Sequence, residues 1–152
     1  VIEKASQLGA YPAEVNSRAV RDDLGDIGPA IAWAGEFADR AGLSADVRYA
    51  VDLSLEEALA NLIMHGVARN GDKGIELAIA CEAGGVTLTL SDRCAPFDIT
   101  AHHTAQDETD LSPGGRGIRL LRSFAPNLDY AAGGDRNRLT MRFPTENAVS
   151  LG

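Results

Sequence analysis

Cysteine is nearly missing from this chain. The two that occur, Cys81 and Cys94, match neither a metal-ligand spacing nor a disulfide framework, so a reducing, cytoplasmic setting is expected. Aromatic residues make up only 5% of the chain, and no apolar run approaches the length of a membrane span, so no membrane partner is expected. Positive charge is also in short supply. Fourteen Lys and Arg stand against 22 Asp and Glu, a formal charge of −8. That balance disfavours direct contact with a nucleic-acid backbone and suits a basic protein surface or a metal-bridged phosphate. The first five residues, Val1 to Ala5, carry no basic stretch leading into an apolar one, so no signal peptide is read there. Internal repeats and low-complexity segments are lacking. What remains, over 152 residues, is one domain able to bury a real core.

The chain is organised around residues 55–66. Leu55, Ala58, Leu59, Leu62 and Ile63 recur at helical spacing and predict an apolar stripe facing a core. Glu57 and Asn61, four residues apart, fall one above the other on a neighbouring face. A carboxylate and a carboxamide so placed offer a proton acceptor and an oxygen ligand for a hard cation, although a solvated polar face has the same spacing. The helix is expected over 45–68, with Ser44 as its cap. A preceding helix is expected over 26–40, with Asp26 as N-cap, Pro29 in the first turn and Gly42 ending it. Its stripe would be Ile27, Ile31, Ala34 and Phe37, with Trp33 beside it.

Residues 14–20 alternate weakly and suggest an edge strand after a loose lead-in. Ile75, Leu77, Ile79 and Cys81 share one face of a predicted strand, Gly84-Gly85 signals a hairpin, and 86–92 return as the partner strand. Two more strands are expected over 128–131 and 139–143 around Gly133-Gly134, with a frayed tail from Thr145. This order predicts an α+β fold: a mainly antiparallel sheet with helices on one face.

Residues 93–113 have almost no apolar period, and a loop of that length in a small domain is usually functional or disordered. Gly114, Gly115 and Gly117 then open a short amphipathic helix, where exposed backbone N–H groups would admit a phosphate. Asp92, ending its strand, can accept a hydrogen bond from an exocyclic amine such as that of adenine, or serve as a turn former. His65, His102 and His103 lack a suitably spaced further ligand and do not predict a zinc site.

Taken together, these pieces resemble the GHKL-type ATP-binding fold, and within it the stand-alone anti-sigma factor serine kinases. The N-box resembles 56–66, the first glycine box 92–98, the second 114–122, and the closing strand 137–143, so that about 14–144 is covered in order. The resemblance implies a two-layer α/β sandwich of the Bergerat type, with ATP and Mg²⁺ as cofactors. It implies Glu57 as catalytic base, Asn61 as magnesium ligand and Asp92 as the adenine-binding aspartate. Gly114, Gly115 and Gly117 would form the phosphate-cradling lid and helix start. Cys94, Phe97 and Arg116 would line the nucleotide site, Arg116 reaching phosphate oxygens or standing in solvent. Cys94 departs from the family pattern, which has glycine there, and is expected to crowd the adenine edge and weaken binding without abolishing it. The implied activity is transfer of the ATP γ-phosphoryl group to a serine of an anti-anti-sigma partner of the STAS fold, together with sequestration of a sigma factor. A homodimer through the sheet edge or a neighbouring surface also follows from the resemblance. The alternative is an ATP-binding regulatory module that binds a protein partner without kinase activity.

Overall fold

The structure, a computed structural model, describes residues 14–97 and 127–145. Five strands among them form one sheet: β1 (Glu14–Ala19), β2 (Glu76–Glu82), β3 (Gly85–Asp92), β4 (Asn127–Gly133) and β5 (Arg136–Pro144), in the order β1-β2-β3-β5-β4. Every neighbouring pair is antiparallel. Two helices, α1 (Ile27–Arg40) and α2 (Ala45–His65), follow β1 and share the core with the sheet. The expected α+β sandwich, with its antiparallel sheet, is what forms.

Alternation of side chains builds the core. Residues two apart lie on one face of a strand, so a matched register lines apolar residues up across strands. Leu77, Leu90, Leu139 and Tyr130 stand in one such row, and Ile79, Leu88, Met141 and Leu128 in the next. Leu77, Ile79, Leu88 and Met141 are fully buried. Each such side chain contributes about 1.5–3 kcal/mol by leaving water. From α2, Val51, Leu55, Ala58 and Leu59 complete this core, with Leu62 and Ile63 packed at its margin. The predicted stripe of 55–63 is therefore the buried face.

On α1 the buried stripe differs from the expected one. Ala30, Ala34 and Ala38 are fully buried, while Ile27, Ile31 and Phe37 flank them half-buried. α1 comes close to α2 at Gly35. Arg48 from α2 lies over Gly35, where a Cβ would stand 2.0 Å from its guanidinium, and it pairs with Asp39 at 3.0 Å and with Asp52. Trp33 packs edge-on to Phe37 at 5.1 Å.

Several boundaries also moved. Ser44 caps α2 as expected, its Oγ accepting from Val47 N at 3.2 Å, but the helix ends at His65 rather than 68. Gly66 turns extended, and the backbone of 67–69 pairs with 93–95 instead of continuing the helix. The hairpin turns fall one residue from the predicted diglycines, because Glu82 pairs with Gly85 and Gly133 with Arg136. Gly85 belongs to β3, where β5 comes so near that a Cβ would lie 2.1 Å from Phe143 O. Thr145 is not frayed: its N donates to Gly84 O at 3.0 Å and its O accepts from Ser44 N at 3.1 Å. Among the described residues, no helix is long and apolar enough to cross a membrane.

Asp26 corrects a further expectation. It precedes α1 but makes no capping bond. Its buried carboxylate instead accepts from Arg21 N at 2.9 Å and from both terminal nitrogens of Arg18 at 3.1 and 3.2 Å, tying β1 to the helix start. The backbone N–H of Arg21 and the Arg18 side chain hold its pKa below the ordinary 3.8. A carboxylate with a lowered folded pKa adds stability above its unfolded value, and that stability is lost as pH falls through the folded value. Asp26→Asn should therefore cost about 1–3 kcal/mol at pH 7, a hydrogen-bonded charge being replaced by a neutral group. Urea titrations should show the gap from wild type closing as pH drops below 3.8. A gap unchanged down to acid pH would mean that Asp26 acts by shape alone.

Candidate functional site

Two chain exits, one from α2 and one from β3, meet beside the end of the sheet. Ala95 N donates to Val67 O at 2.8 Å, Arg69 N donates to Arg93 O at 3.2 Å, and Ala68 bridges Cys94. This short antiparallel ladder brings the end of the helix that carries Glu57 and Asn61 beside the strand end that carries Asp92. Gly66 sits at the crossing. A Cβ there would lie 2.4 Å from Leu62 O and 3.0 Å from Cys94 Sγ, so only glycine lets the segments close.

Asp92 is buried at the end of β3. Its Oδ1 accepts from Cys94 N at 2.8 Å and from Asn137 Nδ2 at 2.9 Å. Neither of these two bonds uses Oδ2. Asn137 stands opposite Asp92 in the β3–β5 register and also donates to Cys94 O at 2.7 Å. It is 2% exposed, and its own Oδ1 has no partner among the described residues. Sequence reading gave Asn137 no role. The available signal was its place two residues before Leu139 in a strand whose alternate positions are apolar, since a polar residue at a core-facing position needs a reason.

On α2, Glu57 and Asn61 are both half-buried, one turn apart, while Glu56 is exposed. Glu57 is engaged in an interaction within the protein. The Asn61 Nδ2 is buried with no hydrogen-bond partner among the described residues. Both side chains offer hard oxygen donors of the kind that suit Mg²⁺.

Cys94 is buried, and its thiol packs against Gly66 rather than standing in the open. Burial first, then the neighbouring Asp92 charge and its hydrogen bond, push the thiol pKa up to about 11. Phe97 is exposed, and its N donates to the Tyr130 hydroxyl at 3.0 Å, linking the chain beyond Cys94 to β4. Gly114, Gly115, Arg116 and Gly117, with His102, His103 and the loop before them, lie outside the described residues. His65 is exposed in the last turn of α2.

Known proteins match this arrangement. Residues 20–143 match the family described as the histidine kinase-like ATPase domain. The chain belongs to that family: it is a GHKL-type, kinase-like ATPase whose nucleotide is ATP, and its likeness to the anti-sigma kinases of that group is borne out. A relative, the serine/threonine-protein kinase BtrW of Bordetella bronchiseptica, is 31% identical over 115 residues, 74% of this chain and 81% of that protein. The crystal structure of the RsbU and RsbW domains of Rv1364c from Mycobacterium tuberculosis superposes with a TM-score of 0.62 at 16% identity, over 88% of this chain and 33% of that one. The histidine kinase domain of a blue-light activated histidine kinase from Erythrobacter litoralis EL346 gives 0.51 at 14% identity, over 80% and 60%. At those identities the two structures speak for the fold.

Two outcomes follow from the Asp92 cluster. Asn137→Ala removes donors from Asp92 Oδ1 and Cys94 O and should lower unfolding free energy by about 1–3 kcal/mol in urea titration; no change would show the cluster to be slack. Iodoacetamide at pH 8 should label Cys94 slowly in the native protein and fully in urea, since a thiol with pKa about 11 is on the order of one part in a thousand thiolate there. Rapid native labelling, read by mass spectrometry, would contradict that burial.

Proposed function

We propose that the protein is an ATP- and Mg²⁺-dependent protein serine kinase. It phosphorylates a serine of an anti-anti-sigma partner of the STAS fold and holds a sigma factor away from polymerase. The observation that carries the reading is the ladder between 67–69 and 93–95. It sets a helix bearing a carboxylate and a carboxamide beside a buried aspartate whose Oδ1 takes the bonds from Cys94 N and Asn137 Nδ2. The 31% identity to a serine/threonine-protein kinase supports the choice of hydroxyl phosphorylation over other kinase chemistry.

In this reading Asp92 Oδ2 accepts from the adenine amine, while Asn137 and the Cys94 backbone hold the other oxygen so that the carboxylate cannot turn away. Asn61, its Nδ2 unpartnered, presents its carboxamide oxygen to Mg²⁺ and is the residue of the described set best suited to hold it. Bound there, Mg²⁺ would neutralise phosphate charge. Glu57 accepts the proton of the partner's serine hydroxyl as its oxygen attacks the γ-phosphorus. The bond to the ADP leaving oxygen breaks, giving phosphoserine and ADP. Gly114, Gly115, Arg116 and Gly117 are proposed to cradle the phosphates, and Phe97 and Cys94 to line the nucleotide side. Cytoplasmic location and a homodimer belong to the same proposal.

The test pairs two variants. Glu57→Gln should keep wild-type ATP affinity in calorimetry and lose on the order of 10²–10⁴ in phosphotransfer to a STAS partner, the cost of losing a general base. Asn61→Ala should lose the Mg²⁺-dependent part of ATP binding. Wild-type transfer by Glu57→Gln would remove the base assignment. ATP binding by the wild type with no transfer to any STAS protein would leave a binding module.

A further inference from the structure

Lys73 lies in the turn between α2 and β2, where Gly71 and Gly74 adopt positive φ. Its ammonium donates to Ile63 O at 2.7 Å and to Leu62 O at 3.3 Å, and it pairs with Asp22 at 2.8 Å. The Lys73 side chain is 12% exposed, with its carbonyl contacts part-buried and Asp22 at 49% exposure. Its backbone carbonyl accepts from Arg93 N at 2.6 Å. One residue thus grips the last turn of α2 with its side chain and the residue after Asp92 with its main chain.

The grip falls where α2 needs it. Gly66 turns the backbone extended, so the final carbonyls lose the donors that a continuing helix would supply. Gly66 N reaches Leu62 O at 2.9 Å, and the Lys73 ammonium supplies the further donor, with a positive charge at the negative end of the helix dipole. Asn61 immediately precedes Leu62. Among the described residues its buried Nδ2 has no hydrogen-bond partner, so no such bond from them aims the carboxamide. Its direction follows the helix backbone, and that backbone is pinned by Lys73.

We infer that Lys73 is a positioning residue that sets Asn61 against Asp92, and so fixes the span across which the nucleotide is held. This rests on the roles proposed above for those two residues. In this role Lys73 acts through the helix end, by its bonds to Leu62 O and Ile63 O.

The test is calorimetric titration of ATP with Mg²⁺ and with EDTA. The proteins are wild type, Lys73→Met, Asn61→Ala, the double variant and Asp22→Asn, each checked for cooperative unfolding. Lys73→Met should weaken Mg-ATP about tenfold and Mg-free ATP less than about threefold, because coupling through a neighbour acts on that scale. Asp22→Asn, which only loosens the ammonium, should move the same way by about threefold, and it carries the test should Lys73→Met fail to fold. In the Asn61→Ala background, Lys73→Met should add nothing, since residues acting through one another are not additive. Unchanged Mg-ATP affinity, or losses that multiply in the double variant, would overturn the positioning role while leaving the nucleotide site standing. Wild type indifferent to Mg²⁺, or Asn61→Ala identical to wild type, would overturn the site reading and this inference with it.

Discussion

Everything proposed for this protein depends on one short antiparallel contact, the backbone of 67–69 against that of 93–95. The helix end and the strand end that it joins are separated by a turn and two strands in sequence. The contact sets the end of α2, the helix of Glu57 and Asn61, beside the end of β3, which carries Asp92. Gly66 permits the contact because any side chain would strike Leu62 O, and Cys94 fills the space against it.

The surroundings of that contact are unusually polar for a buried region. Asp92 and Asn137 are both buried and bonded to each other, and Lys73, Arg93 and Arg136 reach backbone carbonyls or acidic partners nearby. Buried polar groups are costly unless satisfied, and a satisfied network allows few alternative arrangements. A site that must hold a nucleotide at two ends benefits from that rigidity. The rest of the molecule is conventional in its physics: rows of aliphatic side chains across the sheet, and a first helix that buries Ala30, Ala34, Gly35 and Ala38.

Belonging to the histidine kinase-like ATPase family accounts for the sheet, the helix pair and ATP as the nucleotide. It does not by itself choose between a kinase and a gated binder, since the same helix and strand ends could serve either. Glu57 is the residue on which that choice turns. In the proposed reading, a carboxylate one helical turn from Asn61 accepts the proton of a hydroxyl.

Local periodicity was enough to read the strands, α2 and its Ser44 cap, because a period of two or of 3.6 is written into neighbouring residues. The Glu57–Asn61 pair was legible for the same reason, and Asp92 for its place at a strand end. Packing partners were not legible. That Ala30, Ala34 and Ala38 are fully buried while Ile31 and Phe37 are only half-buried follows from how the helix is set against the rest of the core, which no single segment records. Asp26 looked like a cap and proved to be the partner of Arg18, because an ion pair eight residues apart depends on where β1 lies. Asn137, Gly66 and Lys73 acquire meaning only from Asp92, Cys94 and Ile63, which the fold sets beside them. The sequence by itself determined the elements and the chemistry each could carry. The tertiary structure decided which of those chemistries stand together, because hydrogen bonds between distant residues exist only after the chain has closed.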